Sequence, residues 1–373
     1  MKIVFLSKFL TQGGSALHQY SLANNLIKMG HEVYIVSSGP INNEVAKKKF
    51  EESKKYGIKH FNINFPHKYH SNILSKMYLL FRYILVIPKF FIFIIKYKPD
   101  IIHVHYPVTS YLAKLNGIFF KKKFVSTYHI GGIPKHILHC NADYAIAISD
   151  ELKEELVNRF GYKKEQVYLI NNGVSSKIFD NKPLIDREKV LKKRGLPNDK
   201  IIIGFVGAFN ERKGLDILFK ALSGIKEDIF HLVLVGDGDR NWLNLLIKEN
   251  HLETKVSIFS FQNPYIFYQL FSFFVLPSRR EGFPLVVIEA MMMGLPIIRS
   301  DTQGASEQVN HGVNGFLFKN EDSNELKYYC MKLLKNENLR ISMGKKSREI
   351  AINKFDENTM AQKTLQLYSK TKG

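Results

Sequence analysis

The chain reads as an α/β protein of two doubly wound domains, each a parallel sheet wrapped by helices, and three observations predict it. Its 373 residues exceed the size at which a single hydrophobic core stops growing. It opens as strand, Gly loop, helix and strand: Lys2 to Leu6, Ser7 to Ser15 with Gly13-Gly14, Ala16 to Met29 at helical spacing, then His31 to Ser37. That is a β-α-β unit. The same order restarts at Ile201-Ile-Ile-Gly-Phe-Val-Gly207, with a loop to Lys213-Gly214 and a helix from Leu215.

Short apolar strands then alternate with helical stretches, as a parallel sheet requires. In the first half they fall at Ile101 to His105, Phe124 to His129, Tyr144 to Ile148 and Val167 to Ile170. Ser149-Asp150 is placed to cap the helix Glu151 to Phe160. The charged, Pro-containing stretch from Ser175 to Lys200 reads as the connection. In the second half, His231 to Val235 precedes Gly236-Asp237-Gly238-Asp239, Val256 to Phe259 is another strand, and Phe273 to Pro277 leads towards Glu281. The last segment, Asp356 to Lys370, is amphipathic.

The net charge of +20 is uneven. Residues 1–150 hold 20 Lys and Arg against 7 Asp and Glu, a surplus of 13. Such a surface faces an anionic membrane leaflet, a phosphorylated substrate or nucleic acid, unless it reflects only a Lys-, Ile- and Asn-rich composition. No recognisable nucleic-acid module accompanies it, so nucleic acid is not expected as a partner. Cys140 and Cys330 form no disulfide or metal-site pattern, and the first apolar run is too short for a signal peptide. Both point to a cytoplasmic setting. The longest apolar stretch, Met77 to Tyr97, is interrupted by Arg82, Pro88, Lys89 and Lys96. It is read as a core helix or a basic amphipathic surface at a bilayer interface, rather than a spanning helix.

The most informative stretch is Glu281-Gly-Phe-Pro-Leu-Val-Val-Ile-Glu289-Ala-Met-Met-Met-Gly-Leu-Pro-Ile-Ile298. Gly282 and Pro284 start a helix, and Gly294 with Pro296 ends it. Glu281 then stands just before the helix and Glu289 within its first two turns. Amides near Phe283, Leu285 and Val286, with the helix dipole, suit an anionic ligand. On spacing alone the two acids could be solvated surface groups; the apolar residues around Glu289 argue instead for a partly buried carboxylate with partners.

This stretch resembles the signature of the retaining glycosyltransferases of family 4, also called group 1, which have the GT-B architecture of two Rossmann-like domains facing across a cleft. Asn171-Asn-Gly-Val174 and His311-Gly-Val-Asn-Gly-Phe-Leu-Phe318, read as a short hairpin, resemble further family motifs. The resemblance implies an acceptor domain over 1–175, a nucleotide-sugar domain over 176–354, and a terminal helix over 355–373 that crosses back to the first domain. It places Gly13 and Gly14 beneath the donor phosphates, Gly207 and Gly236 at strand ends beside the nucleotide, and the base near Phe261 and Gln262. Glu289 is expected on the ribose, Glu281 on the transferred sugar, Lys213 on the diphosphate and His129 at the sugar's reaction centre. Gly282, Phe283, Pro284 and Leu285 complete the donor set. Many relatives carry Arg where this chain has Ala208, and Arg212 is the candidate to supply that charge.

Two metal readings are set aside. His103, His105 and His129 share strand ends without a carboxylate or thiol to complete a zinc site, and Asp237-Gly238-Asp239 reads as a Gly-rich turn rather than a cation-binding carboxylate pair. Neither a metal nor any other cofactor is therefore expected. The implied function is transfer of a sugar from a nucleoside diphosphate sugar, UDP-linked, to a glycan or lipid-linked acceptor in surface polysaccharide assembly, with an anionic membrane surface as a further partner. A UDP-sugar 2-epimerase of the same fold and a non-catalytic membrane or nucleic-acid binder are the alternatives. Oligomeric state is not encoded in any motif.

Overall fold

The computed structural model describes the whole chain except residues 12, 67–72, 135, 137, 180–185 and 372–373. The chain divides into two compact units, Met1–Gly173 with Glu357–Gly373, and Val174–Asp356. Gln12 of the first Gly loop and residues 180–185 of the predicted connection lie outside the described residues.

The first unit is a seven-stranded parallel sheet in the order β3-β2-β1-β4-β5-β6-β7. Its strands are β1 (Lys2–Leu6), β2 (Glu32–Ser37), β3 (Lys59–Asn62), β4 (Ile101–Val104), β5 (Phe124–Tyr128), β6 (Tyr144–Ala147) and β7 (Val167–Leu169). β1 sits in the middle, with Ile3 opposite Val33 on one side and Ile101 on the other. Both faces of the central strands are covered, so they read as continuous apolar runs rather than alternating ones. β4 to β7 each close one residue before the predicted end. His105 and Ile170 still donate to the neighbouring strand, at 2.9 Å each, and both side chains are buried, Ile170 in the core with Ile3 and Phe5.

The helix Glu357–Ser369 packs on the first unit beside the helix Gly14–Lys28. Met360, Ala361, Leu367 and Tyr368 join Phe5, Leu22 and Ile35 in one core, and Ser21 Oγ donates to Glu357 at 2.6 Å. The sequence pattern missed the helix Glu44–Lys55 and edge strand β3. That helix buries only Ala46 and Ser53, and β3 is half-exposed, so neither carries an apolar period to detect.

The second unit is a six-stranded parallel sheet in the order β10-β9-β8-β11-β12-β13. It comprises β8 (Ile201–Val206), β9 (Phe230–Val235), β10 (Val256–Phe259), β11 (Phe273–Leu276), β12 (Ile297–Ser300) and β13 (Gly315–Phe318). The segment His311–Phe318 is not the expected hairpin: after a turn, β13 pairs in parallel with β12 as the sheet's sixth strand. Gly315 makes that pairing possible, because a side chain there would meet the Ile297 carbonyl oxygen at 2.0 Å. The Asn314 side chain closes the turn by accepting from the Asn310 amide at 2.7 Å.

Candidate functional site

In the second unit the strand order reverses direction between β8 and β11, and ligands of open α/β sheets bind outside the strand ends at such a switch point. The loop after β8 ends in the turn Glu211–Lys213, and the loop after β11 runs from Pro277 to Pro284, before the helix Leu285–Met292. Glu281 joins the two loops by ion pairs to Lys213 and Arg212. Lys213 Nζ lies 2.5 Å from Glu281 Oε1, with the lysine and glutamate side chains only 11% and 8% exposed. Arg212 stands at the rim, half-exposed, its guanidinium 3.8 Å from the other Glu281 oxygen and donating to the Arg280 carbonyl at 3.0 Å. Burial alone would push the Glu281 carboxyl up; Lys213, by charge and hydrogen bond, and then Arg212 outweigh it and hold the group below the usual carboxylate range. Glu281 is therefore an anion at neutral pH.

The helix Leu285–Met292 is bounded by its local chemistry. Pro284, which has no N–H to leave unpaired, sits in extended conformation at its start with no side chain capping it. At its end Gly294 adopts a positive φ of 74°. The Leu295 amide bonds the Ala290 carbonyl at 3.1 Å and the Gly294 amide bonds that of Met291 at 2.9 Å, a left-handed cap that stops the helix. Val287, Ile288, Ala290 and Met291 are fully buried. Glu289 is on the partly exposed face, where Tyr268 donates to it at 2.8 Å. Phe283 and Leu285 are buried, Phe283 packing edge-on against Phe355.

Gly207 and Gly236 lie where the loops after β8 and β9 meet. A side chain on Gly236 would strike the Gly207 carbonyl oxygen at 1.8 Å, and one on Gly207 would come within 3.6 Å of the Lys213 stem. Asp237 and Asp239 serve the backbone, as expected of such a turn. Asp237 accepts from the Phe261 amide at 3.2 Å and Asp239 caps the next helix through the Trp242 amide at 2.9 Å. Gln262 turns back to the Ser260 carbonyl.

Sequence reasoning missed the supports behind this loop. Arg279 grips Asp216 with two nitrogens, at 2.6 and 2.8 Å, and reaches Glu321 at 2.6 Å. Fully buried Arg299 bonds Gln308, and Gln308 in turn donates to the Pro284 carbonyl at 3.1 Å. The only sequence signal for either was an arginine at or just after a strand end.

In the first unit the switch lies between β1 and β4, and imidazoles gather there. The set differs from the expected trio. His103 is turned into the core, bonded to Tyr368 at 2.6 Å and Thr127 at 2.7 Å, and His18 takes its place. Ring nitrogens of His18, His105 and His129 all lie within 4.8 Å of one another, with His105 Nδ1 and His129 Nε2 3.3 Å apart. Three such nitrogens offer ligand atoms for a metal ion as well as hydrogen bonds for a sugar. Burial keeps the rings neutral: His18 is pushed down to about 4, opposed by Asn172, and His103, His105 and His129 are well below the ordinary value, helped by their mutual repulsion. Gly13 precedes the helix Gly14–Lys28 with an ordinary φ of −82°, and a side chain on Gly14 would meet nothing within 4 Å. Gly14 is therefore not required by the fold itself, whereas a side chain on Gly13 would crowd Thr11 Oγ1 at 3.3 Å.

Two family models match the chain: Glycosyltransferase Family 4 over residues 12–177 and Glycosyl transferases group 1 over residues 186–350. An uncharacterised glycosyltransferase of Methanocaldococcus jannaschii is 33% identical over 215 residues, 57% of this chain and 55% of that one. A capsular polysaccharide biosynthesis glycosyltransferase of Staphylococcus aureus is 28% identical over 247 residues, 63% of each. The chain thus spans less than two thirds of the length of either relative. Among solved structures, an Anabaena protein in complex with UDP-glucose superposes with a TM-score of 0.82 at 22% identity, covering 99% of this chain and 100% of that one. With one model on each unit and the two-sheet fold shared along the whole length, the chain belongs to the family 4, group 1 glycosyltransferases, of GT-B architecture.

Proposed function

We propose that this glycosyltransferase moves a sugar from a UDP-sugar to a glycan or lipid-linked acceptor, with retention of anomeric configuration, in surface polysaccharide assembly at the cytoplasmic face of the membrane. The observation that carries the reading is the buried Lys213–Glu281 pair at the switch point of the second unit, with Arg212 on its rim. A diphosphate leaving group needs more than one cation, and Lys213 has two further N–H donors beyond the one given to Glu281. Glu281, held anionic, accepts hydroxyls of the transferred sugar, and Glu289, steadied by Tyr268, accepts those of the ribose. The Staphylococcus relative's role in capsule synthesis and the UDP-glucose bound by the Anabaena protein support the setting and the donor.

Retention is assigned to front-face transfer. The bond from the anomeric carbon to the diphosphate breaks, the departing oxygen takes the acceptor hydroxyl's proton, and the acceptor oxygen bonds the same face. Lys213 and Arg212 stabilise the charge that develops on the diphosphate, and His129 hydrogen-bonds the sugar. No metal has a part in this scheme. The test is UDP release from UDP-sugars with and without glycan acceptors, with the product's anomeric configuration read by NMR. Release that needs acceptor and gives the donor's anomer is the expected result; release without acceptor, an inverted product, or activity abolished by chelator would overturn it.

A further inference from the structure

The face of the first unit opposite its buried core carries an unusual surface. The stretch Met77–Tyr97 is long and apolar enough, by length and composition, to cross a membrane, and only 28% of its most apolar 18 residues is buried. It forms two helices, Ile73–Ile84 and Val86–Tyr97, interrupted at Leu85. Pro88 explains the break, because it has no N–H for the Ile84 carbonyl and its ring clashes there. In the second helix Val86, Phe90, Phe93 and Ile94 are buried in the core against β1 and β4 side chains such as Val4 and Val104. The opposite face is apolar too, and among the described residues nothing covers it.

Phe81, Leu85, Ile92, Ile95, Ile118 and Phe119 are 54–67% exposed. The last two come from the end of the helix Ser110–Phe120, and Phe91 packs against both Phe119 at 5.4 Å and Phe120 at 5.9 Å. The patch is therefore continuous across two helices, and a large rimmed patch of this kind marks an interaction site. Its rim is basic: Lys89, Lys96, Lys98, Lys114, Lys121 and Lys122 are all exposed. Residues 53–142 hold 14 Lys and Arg and a single acid, Asp100.

From this juxtaposition we infer that the face formed by the helices Ile73–Ile84, Val86–Tyr97 and Ser110–Phe120 docks on the surface of an anionic lipid bilayer. A second copy of the chain would bring two such cationic rims together and is disfavoured by charge. A phosphate backbone would leave the isoleucines and phenylalanines uncovered. Crossing the bilayer is disfavoured because the other face of Val86–Tyr97 is part of the sheet's core. A helix apolar all round, with one face in the protein and one in the acyl boundary, needs both environments, and lysines at its edge reach the headgroups. The inference deepens the proposed function by placing the enzyme where a lipid-linked acceptor resides, and it rests on that reading only for its purpose.

The test is flotation of the full chain with vesicles of phosphatidylcholine alone or with about a third phosphatidylglycerol. Binding to the anionic vesicles is expected, weakening as salt rises from 0.1 to 1 M because the Debye length shrinks from about 10 to 3 Å. Ile92→Asp with Ile95→Asp should abolish it, and Lys121→Glu with Lys122→Glu should weaken it by at least about fivefold per lysine. Both variants should keep wild-type melting temperatures and UDP release with a water-soluble acceptor. Equal binding to neutral and anionic vesicles, binding unaffected by either variant, no binding at all, or protein that resists extraction from membranes at high salt and high pH would overturn the inference. Failure of UDP release in the wild type, with vesicle binding intact, would instead count against the transferase reading.

Discussion

Replacing Glu281 by glutamine separates stability from function at the candidate donor site. The wild-type pair is almost fully buried, at 2.5 Å, and removing one member of such a pair costs about 3–5 kcal/mol because the other charge is left uncompensated. Glutamine keeps an oxygen for Lys213 to donate to, which reduces the loss, but Arg212 at 3.8 Å then adds unopposed repulsion. A loss of about 3 kcal/mol in urea unfolding at pH 7 is expected. Adding Lys213→Met removes the stranded charge, and stability should return to within about 1 kcal/mol of wild type. Activity should not return. A cation that acts on the leaving group is worth about 100- to 1,000-fold in kcat, so both Lys213→Met and the double variant should stay at least that far below wild type. The pH dependence follows from the lowered carboxyl. The folded value lies below the ordinary 4.5, so the pair's contribution is fully present above pH 4.5 and disappears as pH falls through the folded value. The gap between wild type and Glu281→Gln should therefore close in acid. A double variant that folds normally and turns over within tenfold of wild type would refute the assignment of Lys213 and Glu281 to the donor.

Gly14→Ala should fold as well as wild type, since open space surrounds the position and alanine favours helix, yet turnover should fall at least tenfold if ligand phosphates approach this backbone; melting temperature and UDP release, compared side by side, decide it. Gly236→Ala should give little soluble protein, because its methyl would overlap the Gly207 carbonyl; expression at wild-type levels would contradict the packing described. Tyr268→Phe removes a buried hydroxyl from Glu289 and should cost about 1–2 kcal/mol of stability and weaken UDP binding several-fold by calorimetry, whereas unchanged affinity would remove Glu289 from the nucleotide site. Buried neutral imidazoles make the first unit sensitive to mild acid. His18, His103, His105 and His129 all have lowered folded values, so the unfolded chain binds protons first and stability falls as pH drops below about 6.5, by up to about 1.4 kcal/mol per pH unit for each ring. Urea midpoints at pH 7, 6 and 5 should show this slope, and His18→Phe should flatten it by one proton; equal stability at pH 7 and 5 would exclude it.

Much of this arrangement was legible in the sequence where local chemistry and tertiary need coincide. The helix after Glu281 announces itself by Pro284 before and Gly294 after, and the strands by short apolar runs between turns, because a parallel sheet covered on both faces leaves no other pattern. Legibility failed where a residue's role depends on what is brought to it from far along the chain. His103 and His18 exchanged places because His103 meets Tyr368, 265 residues later. Tyr268 acquires its role from Glu289, and Arg279 from Asp216, 63 residues earlier. The segment His311–Phe318 has the glycines of a hairpin, and only the neighbouring β12 shows that Gly315 serves a close parallel approach instead.

The glycines of the second unit also explain why the ion pair is so closely set. Gly236 lies against the Gly207 carbonyl, Gly238 against that of Phe209, and Gly214, at a φ of 67°, against that of Pro277; at each a side chain would come within 2.2 Å of the oxygen. The loop after β8 is thus fixed by backbone contact to the loops after β9 and β11. Amides reinforce the contact: Phe209 donates to Asp237 at 2.8 Å and Arg279 to Arg212 at 2.9 Å. Lys213 and Glu281 are neighbours because these backbones are, not because two long side chains happen to meet. Charges held in this way need little reorganisation when charge develops between them, which is the condition under which electrostatic stabilisation of a departing diphosphate is greatest.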